Sequence, residues 1–318
     1  MKDLHRLPRI RDSWRYLYVE HKVIDQEAKS ISLHDVSGKV SVPCASLSLL
    51  MFGPGTSVTH AAIRALAENG CSVLWTGEEG VRCYAQGLGE TRPSHNLMRQ
   101  AELWADDDLH MRVVRKMYVV RFPEGLDETL TLQKIRGHEG VRVRDSYAAA
   151  SRDTGVEWTG RSYQRTNWAE ADPVNRALSA ANSCLYGVCH AAIVSTGYSP
   201  ALGFIHTGKQ LSFVYDIADL YKAEITIPAA FHAAAEGEGQ LESRVRRRCR
   251  DLFQEQRLLA RIVDDITNVL DVAEVETQQQ PSGDYDADEA LPSGLWDSGG
   301  STVEGGVNRA DEVEGVAQ

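Results

Sequence analysis

At about Pro93 the sequence changes its period. Before it, short β-branched or alternating runs at Tyr16–Val19, Lys29–His34, Lys39–Pro43, Ser46–Met51, Ser72–Thr76 and Val81–Ala85 are punctuated by Gly, Pro, Asp or Asn. After it, apolar residues recur at helical spacing over tens of residues. Strands grouped ahead of helices, rather than alternating with them, specify an α+β chain: a small β-rich, sandwich-like domain followed by a larger all-α domain. One helix interrupts the strands, with capping residues in Thr56–His60, a body over Ala61–Asn69 and a stop at Gly70. The sequence does not give the strand order. Domain bounds follow at 1–88, a linker at 89–95, helices over 96–273 and a tail over 274–318.

The helical part divides at its own punctuation. Asn96–Arg121 is broken near Asp106–Asp108, Leu126–Tyr147 continues, and Asn175–Thr196 is rich in Ala, Ser, Cys and Gly. Small side chains let neighbouring helices approach, so Asn175–Thr196 is expected at the centre, ended by Gly197 and Pro200. A short helix after Pro228 and a long one from Gln240 to Val272 complete the set.

Charge excludes little once it is located. The net charge is −11, but residues 274–318 carry eleven acids against Arg309 alone, which leaves the rest of the chain at −1 and free to carry a basic surface. The tail is acidic and polar, with one apolar island at Leu291–Asp297, and reads as a disordered leash in which Leu291, Leu295 and Trp296 are candidate partner-binding residues. The six cysteines include no CxxC pair and are expected as free thiols in a reducing cytoplasm. No run of eighteen apolar residues occurs, so neither export nor a membrane span is expected.

Chemistry concentrates in Gly203–Lys222. Phe213, Val214, Ile217, Leu220 and Tyr221 form an apolar stripe, and Asp216 and Asp219 stand on its flank about 60° apart at 100° per residue. Gly203 and Gly208 bracket His206, so its imidazole can fold back over the same helix. Two carboxylates and an imidazole suit Mg²⁺ or Mn²⁺; the alternative is a solvated helix face. Glu139 adds a third carboxylate, in a polar helical run flanked by Gly137 and Gly140. Two glycines cost a helix about 1–2 kcal/mol relative to alanine, which points to close approach of a backbone or phosphate. His138 and Glu139 diverge by about 100° and do not both face one site. His60, His110, His190 and His232 are expected to be structural. Arg136, Arg142 and Arg144 surround Glu139, and Arg244, Arg246, Arg247, Arg248 and Arg250 decorate the last helix; arginine beside metal-binding acids suits a phosphodiester. No P-loop, GxSxG elbow or HExxH occurs.

The blocks SVTHAAIRALAENG, GVRCYAQG, KIRGHEGVRVRDSY, SCLYGV, GFIHTGKQLSFVYDIADLYK and RVRRRCRDLF, in that order over residues 10–272, resemble the CRISPR adaptation integrase family Cas1, of the type I-E kind. The resemblance implies a divalent ion held by Glu139, His206 and Asp219, with Asp216 a further catalytic acid, and DNA contacts at Arg64, Arg82, Arg161 and Lys209. Arg244, Arg247 and Arg248 join that DNA-binding set from their helix. It implies a metal-dependent endonuclease and integrase that joins the 3′ ends of a prespacer duplex to the leader-proximal CRISPR repeat. It also implies a homodimer, two of which assemble around a Cas2 dimer. The aromatic that wedges open the duplex end in related proteins aligns with His21, close to Tyr16 and Tyr18. A stand-alone structure-selective nuclease and a non-catalytic DNA-binding scaffold remain the other readings.

Overall fold

The computed structural model describes residues 16–36, 38–47, 49–77, 83–87, 94–122, 125–127, 129–161, 172–272, 295–296 and 302–303. Strands β1 (Tyr16–Val19), β2 (Val23–Glu27), β3 (Ser30–Asp35), β4 (Gly38–Pro43), β5 (Leu49–Phe52), β6 (Ser57–Val58), β7 (Ser72–Thr76) and β8 (Cys83–Gly87) form two four-stranded sheets, ordered β1-β5-β7-β8 and β4-β3-β2-β6. The expected strands are present. Two more, β2 and β6, fall where VIDQE and SV carry too few apolar residues to announce themselves. The first sheet is mixed: β5 runs parallel to both β1 and β7, whereas β8 is antiparallel to β7. Helix α1 (His60–Glu68) crosses between β6 and β7, capped by Thr59, whose side chain accepts from the Ala62 N–H at 3.2 Å, and closed by Gly70 at φ 67°.

Strand β5 shows why the sheet holds the chain together. All four of its residues, Leu-Leu-Met-Phe, are buried, which requires cover on both faces. Leu50 and Phe52 join Val19, Ile24, Leu33, Leu66 and Val73 in a core shared with the second sheet and α1. Leu49 and Met51, with Leu74 of β7, face the opposite way into the core of the helices. The β-rich and helical parts therefore share apolar packing.

The helices are α2 (His95–Ala105), α3 (Asp107–Arg121), α4 (Leu132–Thr154), α5 (Pro173–Ser195), α6 (Ser212–Ala218), α7 (Ile227–Ala235), α8 (Leu241–Glu255) and α9 (Leu258–Leu270). The expected break at Asp106 is present, and its side chain caps α3 by accepting from the Leu109 N–H at 2.8 Å. Helix α4 begins six residues later than Leu126, because Thr131 supplies its N-cap. Helix α5 is the central one: Leu185, Cys189 and Ile193 belong to the core with α3, α6 and α9, whereas Ala177, Leu178, Ala181 and Cys184 belong to a second cluster with α7 and α8. It is long and apolar enough to cross a membrane, but most of that stretch is buried within the protein.

Two expected helices divide. The Leu211–Tyr221 stripe is helical only to Ala218, and a π-helical turn, Lys222–Thr226, leads into α7, where Pro228 has no N–H to continue a regular ladder. The Gln240–Val272 helix breaks at Arg257, φ 48°, because α8 serves the second cluster and α9 the first. Within the tail, Leu295–Trp296 pairs antiparallel with Thr302–Val303, where the sequence suggests no regular structure. Leu291 and most of the expected linker lie outside the described residues.

Candidate active site

His206 is placed by a loop held from two sides. Asp216 of α6 is fully buried: its Oδ2 accepts from the backbone N–H groups of Phe204 (2.6 Å) and Ile205 (3.1 Å). Its Oδ1 accepts from the His206 backbone N–H (2.8 Å) and from His206 Nδ1 (2.7 Å). From the other side, the buried Gln100 of α2 donates to the carbonyls of Ser199 and Leu202, both at 3.0 Å, and accepts from the Ser199 N–H at 2.7 Å. Trp104 Nε1 donates to the Gly203 carbonyl at 3.1 Å, and His110 Nε2 lies 2.8 Å from the Phe204 carbonyl. A Cβ on Gly203 would stand 2.3 Å from the His206 carbonyl oxygen, so only glycine fits that turn. The backbone N–H donors converging on Asp216 keep it acceptor-only, so Nδ1 carries a proton, and in the neutral form of the ring Nε2 keeps a free lone pair.

That lone pair faces Asp219. His206 Nε2 is 3.9 Å from Asp219 Oδ2, and Asp219 Oδ1 pairs with Lys222 Nζ at 2.5 Å. Burial opposes the Lys222 charge, yet Asp219 and Tyr186 outweigh it and hold the ammonium above the ordinary lysine pKa. Nearby, burial pushes the Cys189 thiol well up, which leaves it inert. Glu139 reaches the same face from α4, held by Arg142 of its own helix (Nε to Oε2 2.8 Å, Nη2 to Oε1 2.9 Å) and by Arg121 at the end of α3 (Nη1 to Oε1 3.2 Å). Arg121 Nη1 also lies 3.9 Å from Asp219 Oδ2, so one guanidinium bridges an acid of α4 and the acid that ends α6.

The site thus unites Glu139, His206 and Asp219, and gives Asp216 a different role, in which it touches the loop backbone and the imidazole, and orients rather than reacts. Two carboxylates and a neutral imidazole with a free Nε2 form a donor set that suits a hard divalent ion, and the carboxylate on Nδ1 is the usual partner of a ligating histidine. As placed, the acid oxygens are engaged by Arg121, Arg142 and Lys222, and among the described residues no three acidic, His or Cys side chains gather closely enough to enclose an ion. His138 is exposed, whereas Glu139 beside it is partly buried, as their angular spacing on the helix allows. Among the described residues a Cβ at Gly137 or Gly140 would meet nothing, so no described contact accounts for either glycine.

The basic residues divide by what they touch. Arg64 is exposed and pairs with Glu68 on α1 at 3.3 Å, and Lys209 is exposed on the His206 loop. Arg247 is exposed on α8. Arg161 spends its guanidinium on the start of α5, donating to the Asn175 backbone and side-chain oxygens and to Ser179 Oγ, each at 2.9 Å. Arg244 closes the C-terminal end of α7, donating to the carbonyls of Ala233 (3.0 Å), Gly237 and Gly239, and Arg248 pairs with Glu236 at 3.3 Å. Arg82 lies outside the described residues, and of Leu295 and Trp296 only the backbone is described. His21 stands exposed in the left-handed turn after β1, φ 52°, its ring against Gly55.

Sequence reasoning missed Arg121 and Lys222. The signal for Arg121 is present: Val113, Met117 and Arg121 recur every fourth residue, so the stripe that buries the first two buries the arginine too.

Comparison with known proteins gives a consistent result. The family described as CRISPR associated protein Cas1 matches over residues 120–249. A CRISPR-associated endonuclease Cas1 of Thermus thermophilus is 56% identical over 306 residues, 96% of this chain and 93% of that protein. The CRISPR-associated endonuclease Cas1 of Escherichia coli is 40% identical over 291 residues, 91% of this chain and 95% of that protein. Among solved structures, that of a TtCas1–DNA complex superposes with a TM-score of 0.78 at 58% identity, covering 84% of this chain and all of the other. A Thermotoga maritima CAS1 protein at 14% identity and TM-score 0.56 shares the fold.

Proposed function

Since the chain belongs to the CRISPR-associated Cas1 endonuclease family, we propose that it is a divalent-metal-dependent DNA endonuclease and integrase, which joins prespacer 3′-hydroxyl ends to CRISPR repeat DNA. The observation that carries the reading is the convergence of Glu139, Asp219 and a His206 whose Nε2 is left free by its Nδ1 bond to Asp216. Those three residues would hold Mg²⁺ or Mn²⁺, and the ion, when bound, supplies charge stabilisation for an in-line displacement at phosphorus. Asp216 fixes the imidazole tautomer and, with Gln100 and Trp104, fixes the loop. Arg142 and Lys222 orient the two acids. The exposed Lys209 and Arg247, with Arg64, offer charge to the DNA backbone without reading bases, in keeping with the DNA held by the TtCas1 structure. The attacking group is a DNA 3′-hydroxyl in joining and a water in cleavage, so one site serves both activities. Homodimers assembled on a Cas2 dimer, with the Leu295–Trp296 segment at the contact, complete the proposal.

The test replaces His206 or Asp219 by Ala and measures strand joining and nicking of branched DNA in Mg²⁺ or Mn²⁺. Both activities are expected to vanish while DNA binding persists, because phosphate contacts elsewhere supply most of the affinity. Unchanged joining rates would refute the assignment.

A further inference from the structure

The acids of the site are engaged by cations before anything binds. Glu139 and Asp219 face Arg121, Arg142 and Lys222, two carboxylates against three cations. Of these cations Arg121 is the deepest, 2% exposed, and it alone spans Glu139 and Asp219. Its Nη2 reaches the Asp216 carbonyl at 3.4 Å, and its guanidinium lies 5.1 Å from the centre of the Tyr118 ring. Among the described residues its buried Nε finds no acceptor. An arginine selected only for packing would not leave a donor unpaired in the interior; the charge at the acids is what the position requires.

We infer that Arg121 is the resident counter-cation of the site, standing between Glu139 and Asp219 where a divalent ion would act, so that such an ion binds the free protein weakly and gains affinity when a DNA phosphodiester enters with it. The inference rests on the metal reading of Glu139, His206 and Asp219 and adds a linkage to it. An ion entering the free site must displace an arm of Arg121 that the surrounding helices hold in place, and it adds two positive charges to a part-buried cluster in which cations already outnumber acids. A phosphodiester restores one negative charge and supplies further oxygen ligands. Linkage is reciprocal, so the ion must strengthen the grip on that phosphate by the same factor. Neutralising Arg121 leaves Glu139 and Asp219 with one cation each, Arg142 and Lys222, and gives the free site affinity that otherwise waits for DNA.

The experiment titrates the full chain with Mn²⁺ and reads free ion by electron paramagnetic resonance, which reports occupancy rather than turnover. Titrations run with and without a short duplex whose 3′ ends lack hydroxyls, and the Glu139→Gln protein with the same duplex serves as the blank for ion held by DNA alone. Wild type is expected to bind Mn²⁺ roughly tenfold more tightly with DNA, within the 5–150-fold span of coupled ligands. Arg121→Gln is expected to bind about tenfold more tightly than wild type without DNA, and Arg121→Lys, which keeps the charge, to stay near wild type. Equal wild-type affinity with and without DNA overturns the inference, and that comparison needs no variant to fold. Equal affinity of folded Arg121→Gln and wild type overturns it as well. No Mn²⁺ bound in either state, with Glu139→Gln indistinguishable, overturns the underlying metal reading too.

Discussion

Replacing Asp216 by Asn is expected to separate the stability of the His206 loop from its chemistry. The carboxylate accepts four hydrogen bonds, two on each oxygen, and an amide keeps only one oxygen. If that oxygen stays under the Phe204 and Ile205 N–H groups, the amide nitrogen confronts the two His206 donors. The ring can answer by moving its proton, so that Nδ1 accepts from the new amide; the backbone N–H of His206 cannot, and remains unpaired. One buried unpaired donor costs about 1–3 kcal/mol, so Asp216→Asn should lose about 2 kcal/mol in urea unfolding. Asp216→Ala, which abandons all four donors, should lose more than about 4 kcal/mol. The moved proton now occupies Nε2 and removes the lone pair that faces Asp219. Joining and nicking should therefore fall about 10–100-fold, the usual cost of losing the partner behind a ligating histidine. Nitrogen NMR of the labelled imidazole reads the tautomer directly. A folded Asp216→Asn protein with wild-type activity, or one whose Nδ1 still carries the proton, would refute the reasoning.

Two further substitutions test the division of the basic residues, and a third tests the pH response. Arg244→Ala should destabilise the protein by about 1–3 kcal/mol, since it uncovers the carbonyls at the end of α7. Arg247→Ala should change stability by less than about 0.5 kcal/mol while lowering the salt slope of DNA binding by about one, read by fluorescence anisotropy at several salt concentrations. Arg261 hydrogen-bonds Glu224 through both arms, at 2.9 and 2.8 Å, and holds that carboxyl below its ordinary pKa of 4.5. A lowered pKa stabilises the folded chain above the unfolded value and loses that contribution as acid protonates the folded form. The pair is half-exposed and screened, so Glu224→Gln should cost only about 0.3–1 kcal/mol at neutral pH, and the difference in unfolding should vanish well below pH 4.5.

The sequence exposed the convergence of the site better than the duties of its members. Glycines at 203 and 208, with acids three apart on a stripe, sufficed to fold His206 back over α6. They did not separate Asp216 from Asp219, because both flank the stripe; the difference arises from the 204–206 backbone, which turns its N–H groups onto one of them. Arg161 and Arg244 read as phosphate ligands for a similar reason. Whether an arginine meets solvent or a helix-end carbonyl depends on where a neighbouring helix stops, and helix ends were the least legible feature here, as the breaks at Ala218 and Arg257 show. Strand β2 escaped notice because it is half-covered and mostly polar, although its single fully buried residue, Ile24, anchors the outer sheet.

The double burial of β5 bears on how this protein would come apart. Because Leu49, Met51 and Leu74 belong to the interior of the helices while Leu50 and Phe52 belong to that of the sheets, the two halves are not beads on a string. A protease that cuts the backbone between Gly87 and Ser94 severs the covalent link and leaves that apolar seam intact. Two fragments should then migrate separately on a denaturing gel and yet elute from a sizing column as one particle. Expressed alone, the helical fragment would carry a bare greasy face where the sheet belongs, and precipitation rather than a smaller working enzyme is the expected fate of a truncation designed at the apparent domain boundary.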